Sequence, residues 1–395
     1  MNQSQISNED FKKLEKPSVD VEGDNNKQKE NWREIYLNQI DLLKKYLDLK
    51  EEYYSLLSLW IIGTHFHKQF ETYPYIFINA MKGSGKTRLL KLIKLLTKDG
   101  QMLNSLTEAV LFRTKGTLCI DEFEGITRNG SENLRELLNS AYKKGTGVKR
   151  MRKKRTPEGE EQVVEEFDVY RPIAIANIWG MESVLGDRCI PLILEKSSKS
   201  DVINLIETFS SDLNVTFILK SQRESDVSDV SLPVGIYTNW NDYIIYKHHT
   251  SPTNNITNVT LFDKIYDSKI NGRHLELCLP LFVIAGYLGE KILDKTIKTL
   301  SGVVQTKKDD EFTENKDVSL IDMISQLPPT DFISIKELTK QFKEFIQSEE
   351  LWINDRWLGR ALKRLNLVKG KKHTNHGAYI CPDIKKAAIK IRMFK

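Results

Sequence analysis

Lys86 and Thr87, preceded by Gly83, Ser84 and Gly85, together with Asp121 and Glu122, are the residues of this sequence best suited to chemistry on a phosphate. The stretch Ala80-Met81-Lys82-Gly83-Ser84-Gly85-Lys86-Thr87 follows the phosphate-binding pattern G-x-x-x-x-G-K-[ST], with Ala80 where the pattern has its first glycine. That position is the least demanding of the set. Glycines at 83 and 85 let the backbone enter positive φ, so that successive N–H groups turn inward around an anion. Lys86 would then meet the β- and γ-phosphates of ATP, and Thr87 would ligate Mg²⁺ at the start of a helix whose dipole favours the anion. Asp121 would hold the same Mg²⁺ through water, and Glu122 would polarise the attacking water.

These residues need a strand, a loop and a helix in that order, and the sequence supplies them. Tyr73 to Asn79, YPYIFIN, is aromatic and β-branched and reads as a buried strand, while RLLKLIKLL after Thr87 has apolar residues at helical spacing. Without those neighbours, the glycines would be no more than a turn before an ordinary helix. Leu118, Cys119 and Ile120 form a second short apolar strand that ends at Asp121. Two further strands follow: IAIANIWG, which carries Asn177 at its end, and CIPLIL, which Arg188 precedes. An amide at Asn177 is placed to orient a lytic water.

Charge is distributed unevenly. Lys143 to Arg155 carries eight basic residues and no acid, and Glu158 to Asp168 carries six acids and no base. Thr156-Pro157-Glu158-Gly159 is a turn sequence, so the two segments read as a β-hairpin with a basic and an acidic arm. Alternation puts Lys149, Met151, Lys153 and Arg155 on one face and Arg150, Arg152 and Lys154 on the other; one face is expected to pair with glutamates and leave the other free. Two readings stay open at this level, a self-neutralising surface hairpin and a DNA-contacting one.

The last segment repeats the theme. In NDRWLGRALKRLNL, Leu358, Ala361, Leu362 and Leu365 share one helical face, and Arg356, Arg360, Lys363 and Arg364 the other. VKGKKHTNHGAYICP follows as a second hairpin, with Lys371 and Lys372 near its tip. Helix plus basic hairpin predicts a winged helix that contacts DNA or, failing that, docks on protein.

With 395 residues, 40% hydrophobic and 29% charged, the chain has material for two or three domains around sizeable cores. Its longest apolar runs are too short to span a membrane and its first residues hold no apolar secretion signal, so a cytoplasmic protein is expected. The four cysteines, Cys119, Cys189, Cys278 and Cys381, are far apart and read as reduced core residues. His65 and His67, like His373 and His376, lack companions at zinc spacing. Composition predicts a disordered polar tail over 1–31, a nucleotide-binding core over 32–196 with the basic hairpin inserted at 143–170, a mainly helical segment over 197–301, a linker over 302–317 and a terminal domain over 318–395.

In the order of these short motifs the chain resembles the AAA+ ATPases, and among them the minichromosome-maintenance helicases and the replicative helicase-like ATPases of viruses and mobile elements. The resemblance covers roughly residues 55 to 300. It implies an α/β fold, a P-loop core of parallel sheet flanked by helices, with a helical lid over 197–301. It implies that Asn177 is a first sensor, that Arg188 is a finger reaching a neighbouring subunit's ATP, and that Arg273, at the start of NGRHLELCLPLFVIAGYLG, is the second sensor. It implies too that the hairpin before Asn177 enters the central pore of a homo-oligomeric ring, a hexamer, and meets single-stranded or duplex DNA. The function expected from it is a DNA-stimulated ATPase, a helicase or translocase in DNA replication; the alternative is a nucleotide-driven assembly or signalling switch.

Overall fold

The computed structural model describes residues 19–104, 106–121, 132–156, 159–177, 183–226, 236–249, 259–314, 316–329, 331–374 and 377–392. The chain divides into two compact units, Met1–Ser301 and Gly302–Lys395.

The first unit is built on a five-stranded parallel sheet. Its strands are β1 (Tyr75–Ala80), β2 (Gln101–Leu103), β3 (Leu118–Ile120), β6 (Ile173–Asn177) and β7 (Cys189–Leu194), in the spatial order β2-β3-β6-β1-β7. Helices flank it, among them α1 (Val19–Tyr46), α2 (Glu51–Phe66), α3 (Lys86–Leu96), α4 (Glu108–Arg113), α5 (Glu132–Ser140), α6 (Leu213–Asp226) and α7 (Gly272–Leu288), with α3 directly on the strands and α1 and α6 packed on other helices. Strands covered on both faces cannot alternate polar and apolar residues, which is why YIFINA and IAIAN are almost uniformly apolar and buried. Tyr75, Phe77, Leu118, Ile120, Ile173 and Ile175 share one core with Leu134, Leu137 and Leu138 of α5.

The strand order decides the site. β6 lies between β1 and β3, so the ends of β1, β6 and β3 stand side by side on one edge of the sheet. The loop after Ala80, the amide of Asn177 and the carboxylate of Asp121 all sit on that edge.

A two-stranded antiparallel ribbon, β4 (Val148–Thr156) and β5 (Gly159–Phe167), forms the hairpin, with Thr156 opposite Gly159. The second unit contains α9 (Lys316–Gln326), α10 (Ile335–Phe345), α11 (Asp355–Arg364), α12 (Ile384–Ile391) and a sheet in the order β8-β10-β9, with β8 at Ile333–Ser334, β9 at Val368–Thr374 and β10 at Gly377–Pro382. Its core joins Leu338 and Phe342 to Leu358, Leu362 and Ile380.

Two expectations are corrected. Residues 19–31, expected as disordered tail, are helix: Gln28 donates to the Ser225 carbonyl and Asn31 to the Ser221 carbonyl and the Ser225 hydroxyl, so polar side chains are what hold that end of α1 to α6. Within 302–317, expected as a linker, residues 302–314 continue α8 (Glu290–Glu314) and 316–317 begin α9. A charged run without proline keeps ordinary helix propensity, so polarity alone does not end a helix. Among the described residues no helix is long and apolar enough to cross a membrane.

Candidate nucleotide and nucleic-acid sites

The loop between β1 and α3 has the backbone of an anion cradle. Gly83 and Gly85 have φ of 81° and 85°, and Gly85 is the left-handed residue from which α3 starts. At such φ a side chain is strained, which is the physical reason for glycine at both positions. Ala80 is not among the positive-φ residues; it is the last residue of β1, buried and paired with Leu194. An alanine therefore replaces the usual glycine without backbone cost. Ser84 closes the loop, its hydroxyl donating to the Met81 carbonyl at 2.7 Å. Met81, Lys82 and Gly83 are exposed, so the cradle opens to solvent.

Lys86, the first residue of α3, and Asp121, just past β3, meet across this edge. The Lys86 ammonium is 3.2 Å from Asp121 Oδ1, and the Thr87 hydroxyl donates to Asp121 Oδ2 at 2.9 Å. Asp121 is 7% exposed, so these contacts compensate a carboxylate largely removed from water. A hydroxyl and a carboxylate held together at a helix N-terminus are the hard oxygen donors that Mg²⁺ takes alongside substrate phosphates. No cluster of three His, Cys, Asp or Glu residues suited to a metal occurs among the described residues. Magnesium bound with a nucleotide does not need one, because it fills most of its shell with phosphate and water. Asn177 closes β6 beside Asn79 and is 2% exposed. Glu122 lies outside the described residues.

Arg188 and Arg273 are not part of this constellation. Arg188 precedes β7, and its carbonyl accepts the Tyr75 N–H at the beginning of β1. Because the strands are parallel, it lies at the opposite edge of the sheet, about 16 Å along β1 from the loop. Its guanidinium donates to the Asn139 carbonyl at 2.8 Å and to the Val184 carbonyl, and stacks over Tyr142 at 5.2 Å. Arg273, in the first turn of α7, lies over the same ring at 5.7 Å. The start of α7 is held there by Lys143, which pairs with Glu276 at 2.8 Å, and by Thr72, which donates to the Glu276 carbonyl.

The hairpin has an inner and an outer face. Arg150 points inward, 3.1 Å from Glu108 and over Phe112, which stacks on Phe167. Lys149, Met151 and Val164 are exposed on the other face. By alternation the positions of Lys153 and Arg155 share the outer face, those of Arg152 and Lys154 the inner. The register corrects the expectation that one face pairs and the other stays free: Lys149 and Arg155 lie opposite Glu166 and Glu160, while Arg150 and Lys154 lie opposite Glu165 and Glu161. Each face thus has two positions at which a basic residue stands opposite an acid. Arg152 and Lys153, opposite Val163 and Gln162, are the basic positions with no acid across the ribbon.

On α11, Leu358, Ala361 and Leu362 are buried while Arg356, Arg360 and Lys363 are exposed. Arg364 instead makes a two-pronged bond to Asp317, both contacts of its outer nitrogen at 2.7 Å. Lys371 is exposed, and Lys372 lies over the Phe332 ring at 4.0 Å.

Sequence reasoning missed the residues that frame the loop from outside the motif. Arg88 donates to the carbonyls of Tyr46, Val202 and Leu205, which binds α3 to the segment after β7. Leu47 reaches Gly85, and a Cβ there would lie 3.7 Å from its side chain. These partners are far away in the chain, and nothing in the motif signals them.

No family model and no curated protein matches the chain. Among solved structures it is similar to the A form apo structure of the NrS-1 C terminal region (CTR), with a TM-score of 0.36 and 12% identity over 89% of this chain and 75% of that one. A likeness of that size carries no weight for fold or activity.

Proposed function

We propose that this chain is an ATP-hydrolysing P-loop protein of the AAA+ type that acts on DNA as a translocase or helicase in a ring of identical subunits. The observation that carries the reading is Lys86, Thr87 and Asp121 in mutual contact at the mouth of a loop with two left-handed glycines. In this reading a polyphosphate draws the Lys86 ammonium away from Asp121, which frees a carboxylate oxygen and the Thr87 hydroxyl to face Mg²⁺. The ion supplies charge neutralisation on the phosphates. Loop N–H groups hold the β-phosphate, Asn177 orients water, and Glu122 accepts its proton.

The finer parts of the reading are proposals of the same kind. The helices after 197, including α7, form a lid. Arg188 and Arg273, remote from their own loop, serve the nucleotide of the next subunit. The second unit is a winged helix, with α11 as its recognition helix and β9–β10 as its wing, supported by the exposed Arg356, Arg360, Lys363 and Lys371. A nucleotide-dependent assembly switch is the second reading. It is favoured by the engagement of Arg150, Arg364 and Lys372 with Glu108, Asp317 and Phe332.

The test is ATP hydrolysis with and without single-stranded DNA. The motor reading expects stimulation by DNA and loss of activity in Lys86→Ala. Hydrolysis indifferent to DNA moves the switch reading ahead, and no hydrolysis by the wild-type protein removes both.

A further inference from the structure

We propose that Lys196 is a second phosphate-contacting cation of the loop site, reaching the nucleotide's polyphosphate from the β7 side. The inference rests on the nucleotide reading above and adds to it a residue outside the motif.

β7 runs parallel to β1 with Leu194 opposite Ala80, so the chain leaves the two strands side by side. Two residues past β7, Lys196 lies next to the loop that follows β1. A Cβ built on Gly83 would lie 3.8 Å from Lys196 Cε, and beyond Gly83 and its two chain neighbours no other heavy atom of the described residues comes within 4 Å of that point. The ammonium is one bond further out. Gly83, having φ of 81° and no side chain, leaves the space between lysine and loop open.

Two other cations near the loop are already held, while Lys82, in the loop itself, is exposed like Lys196. Lys86 pairs with Asp121 and Lys199 with Asp48, at 3.2 and 2.7 Å. Among the described residues no carboxylate holds Lys196, which is exposed. An unpaired ammonium beside inward-turned N–H groups adds to their attraction for an anion, and a charge-assisted contact is stronger than a neutral one. Lys196 also opens the segment that Arg88 fastens to α3 through Val202 and Leu205, so nucleotide bound at the loop would be contacted from that segment as well.

Isothermal titration of ADP at two salt concentrations tests this with wild type, Lys196→Ala, Lys196→Arg and Lys86→Ala. Lys196→Ala should weaken ADP binding about fivefold to tenfold and flatten its salt dependence, and Lys196→Arg should restore most of both. Lys196 is exposed, so the substitutions leave the fold intact, which a melting curve confirms. Unchanged affinity and salt slope in Lys196→Ala, with binding abolished in Lys86→Ala, overturns the Lys196 assignment and leaves the loop site standing. ADP binding that survives Lys86→Ala overturns the loop site and Lys196 with it.

Discussion

Arg188 and Arg273, 85 positions apart by subtraction of their numbers, lie over one aromatic ring, with their guanidinium carbons 5.2 and 5.7 Å from the centre of Tyr142. The ring's negative face attracts each cation, which offsets part of the repulsion between the two. Two like charges gathered at the edge of the sheet away from Lys86 form a place where an anion from another molecule would be welcome. In the proposed ring of subunits this is where the trans role of Arg188 would be exercised, with Arg273 over the same tyrosine.

Tyr142 should therefore matter for turnover in proportion to its ring and not its hydroxyl. Tyr142→Phe is expected to hydrolyse ATP at nearly the wild-type rate, whereas Tyr142→Leu should be slower by about fivefold to tenfold, the equivalent of about 1 kcal/mol of cation–π attraction. Mixtures of Arg188→Ala with Lys86→Ala subunits should regain activity that neither has alone. Mixtures that stay inactive while assembling normally would count against a shared site.

The pairing of Lys86 with Asp121 predicts a stability effect that is separate from catalysis. Both side chains are mostly buried, at 13% and 10% exposure, so removing one leaves the other's charge uncompensated. Lys86→Met should lower the unfolding free energy by about 2 kcal/mol, and the double variant Lys86→Met/Asp121→Asn should recover much of that loss. Denaturant unfolding measures both. An additive double variant would mean that the two charges are not coupled in the folded protein.

A buried histidine supplies the pH dependence. His67 is 7% exposed, its ring nitrogen Nδ1 is 2.7 Å from the Thr64 carbonyl, and burial pushes its pKa down to about 4. The hydrogen bond to Thr64 and the charge of Asp168 oppose that shift, while Lys68 and His65 reinforce it. Well above pH 6.5 the imidazole is neutral in both folded and unfolded chains and adds no pH dependence. As pH falls from 6.5 towards 4, the unfolded chain takes up a proton that the folded chain refuses, and about 3 kcal/mol of stability is lost. His67→Gln should flatten this part of the stability curve in urea titrations from about pH 4 to 7. A wild-type curve with no slope there would refute the assignment.

What the sequence disclosed and what it hid follow from the range of the interactions. The loop, its strand and its helix are contiguous, and their residue types are dictated locally by positive φ, burial on both faces and helical spacing, so all three were legible. The hairpin was legible for the same reason, since its turn residues and opposite charges lie within one short segment. Which of its faces packs inward was not: that Arg150 lies on the inner side is settled by Glu108 and Phe112, about forty residues earlier, through packing of α4. Arg364 does lie on the solvent face that the helical pattern gave it, but it is paired there with Asp317 of α9, which the pattern does not signal. Charge counts cannot separate a cation that waits for a ligand from one already paired by the fold.

The hairpin separates a DNA motor from a nucleotide switch, and its two faces now call for different substitutions. Arg150 is tied to Glu108 and Phe112, so Arg150→Ala should cost about 1 kcal/mol of stability and little DNA affinity. Lys149 and Met151 are exposed, and Lys153 and Arg155 share their face by alternation, so that face is the one open to a polyanion. Every phosphate deprived of its cation should reduce the slope of log affinity against log salt by about one unit, or somewhat less on single strands. Neutralising Lys149, Lys153 and Arg155 together should therefore weaken binding to single-stranded DNA, flatten its salt dependence by about two units and remove DNA stimulation of the ATPase, while basal hydrolysis continues. On that face Lys153 is the position with no acid opposite it, and neutralising it alone should account for more of the loss than neutralising either Lys149 or Arg155, which stand opposite Glu166 and Glu160. If the outer-face variant keeps wild-type DNA affinity and salt slope, the hairpin is a self-neutralised ribbon and the switch reading takes precedence.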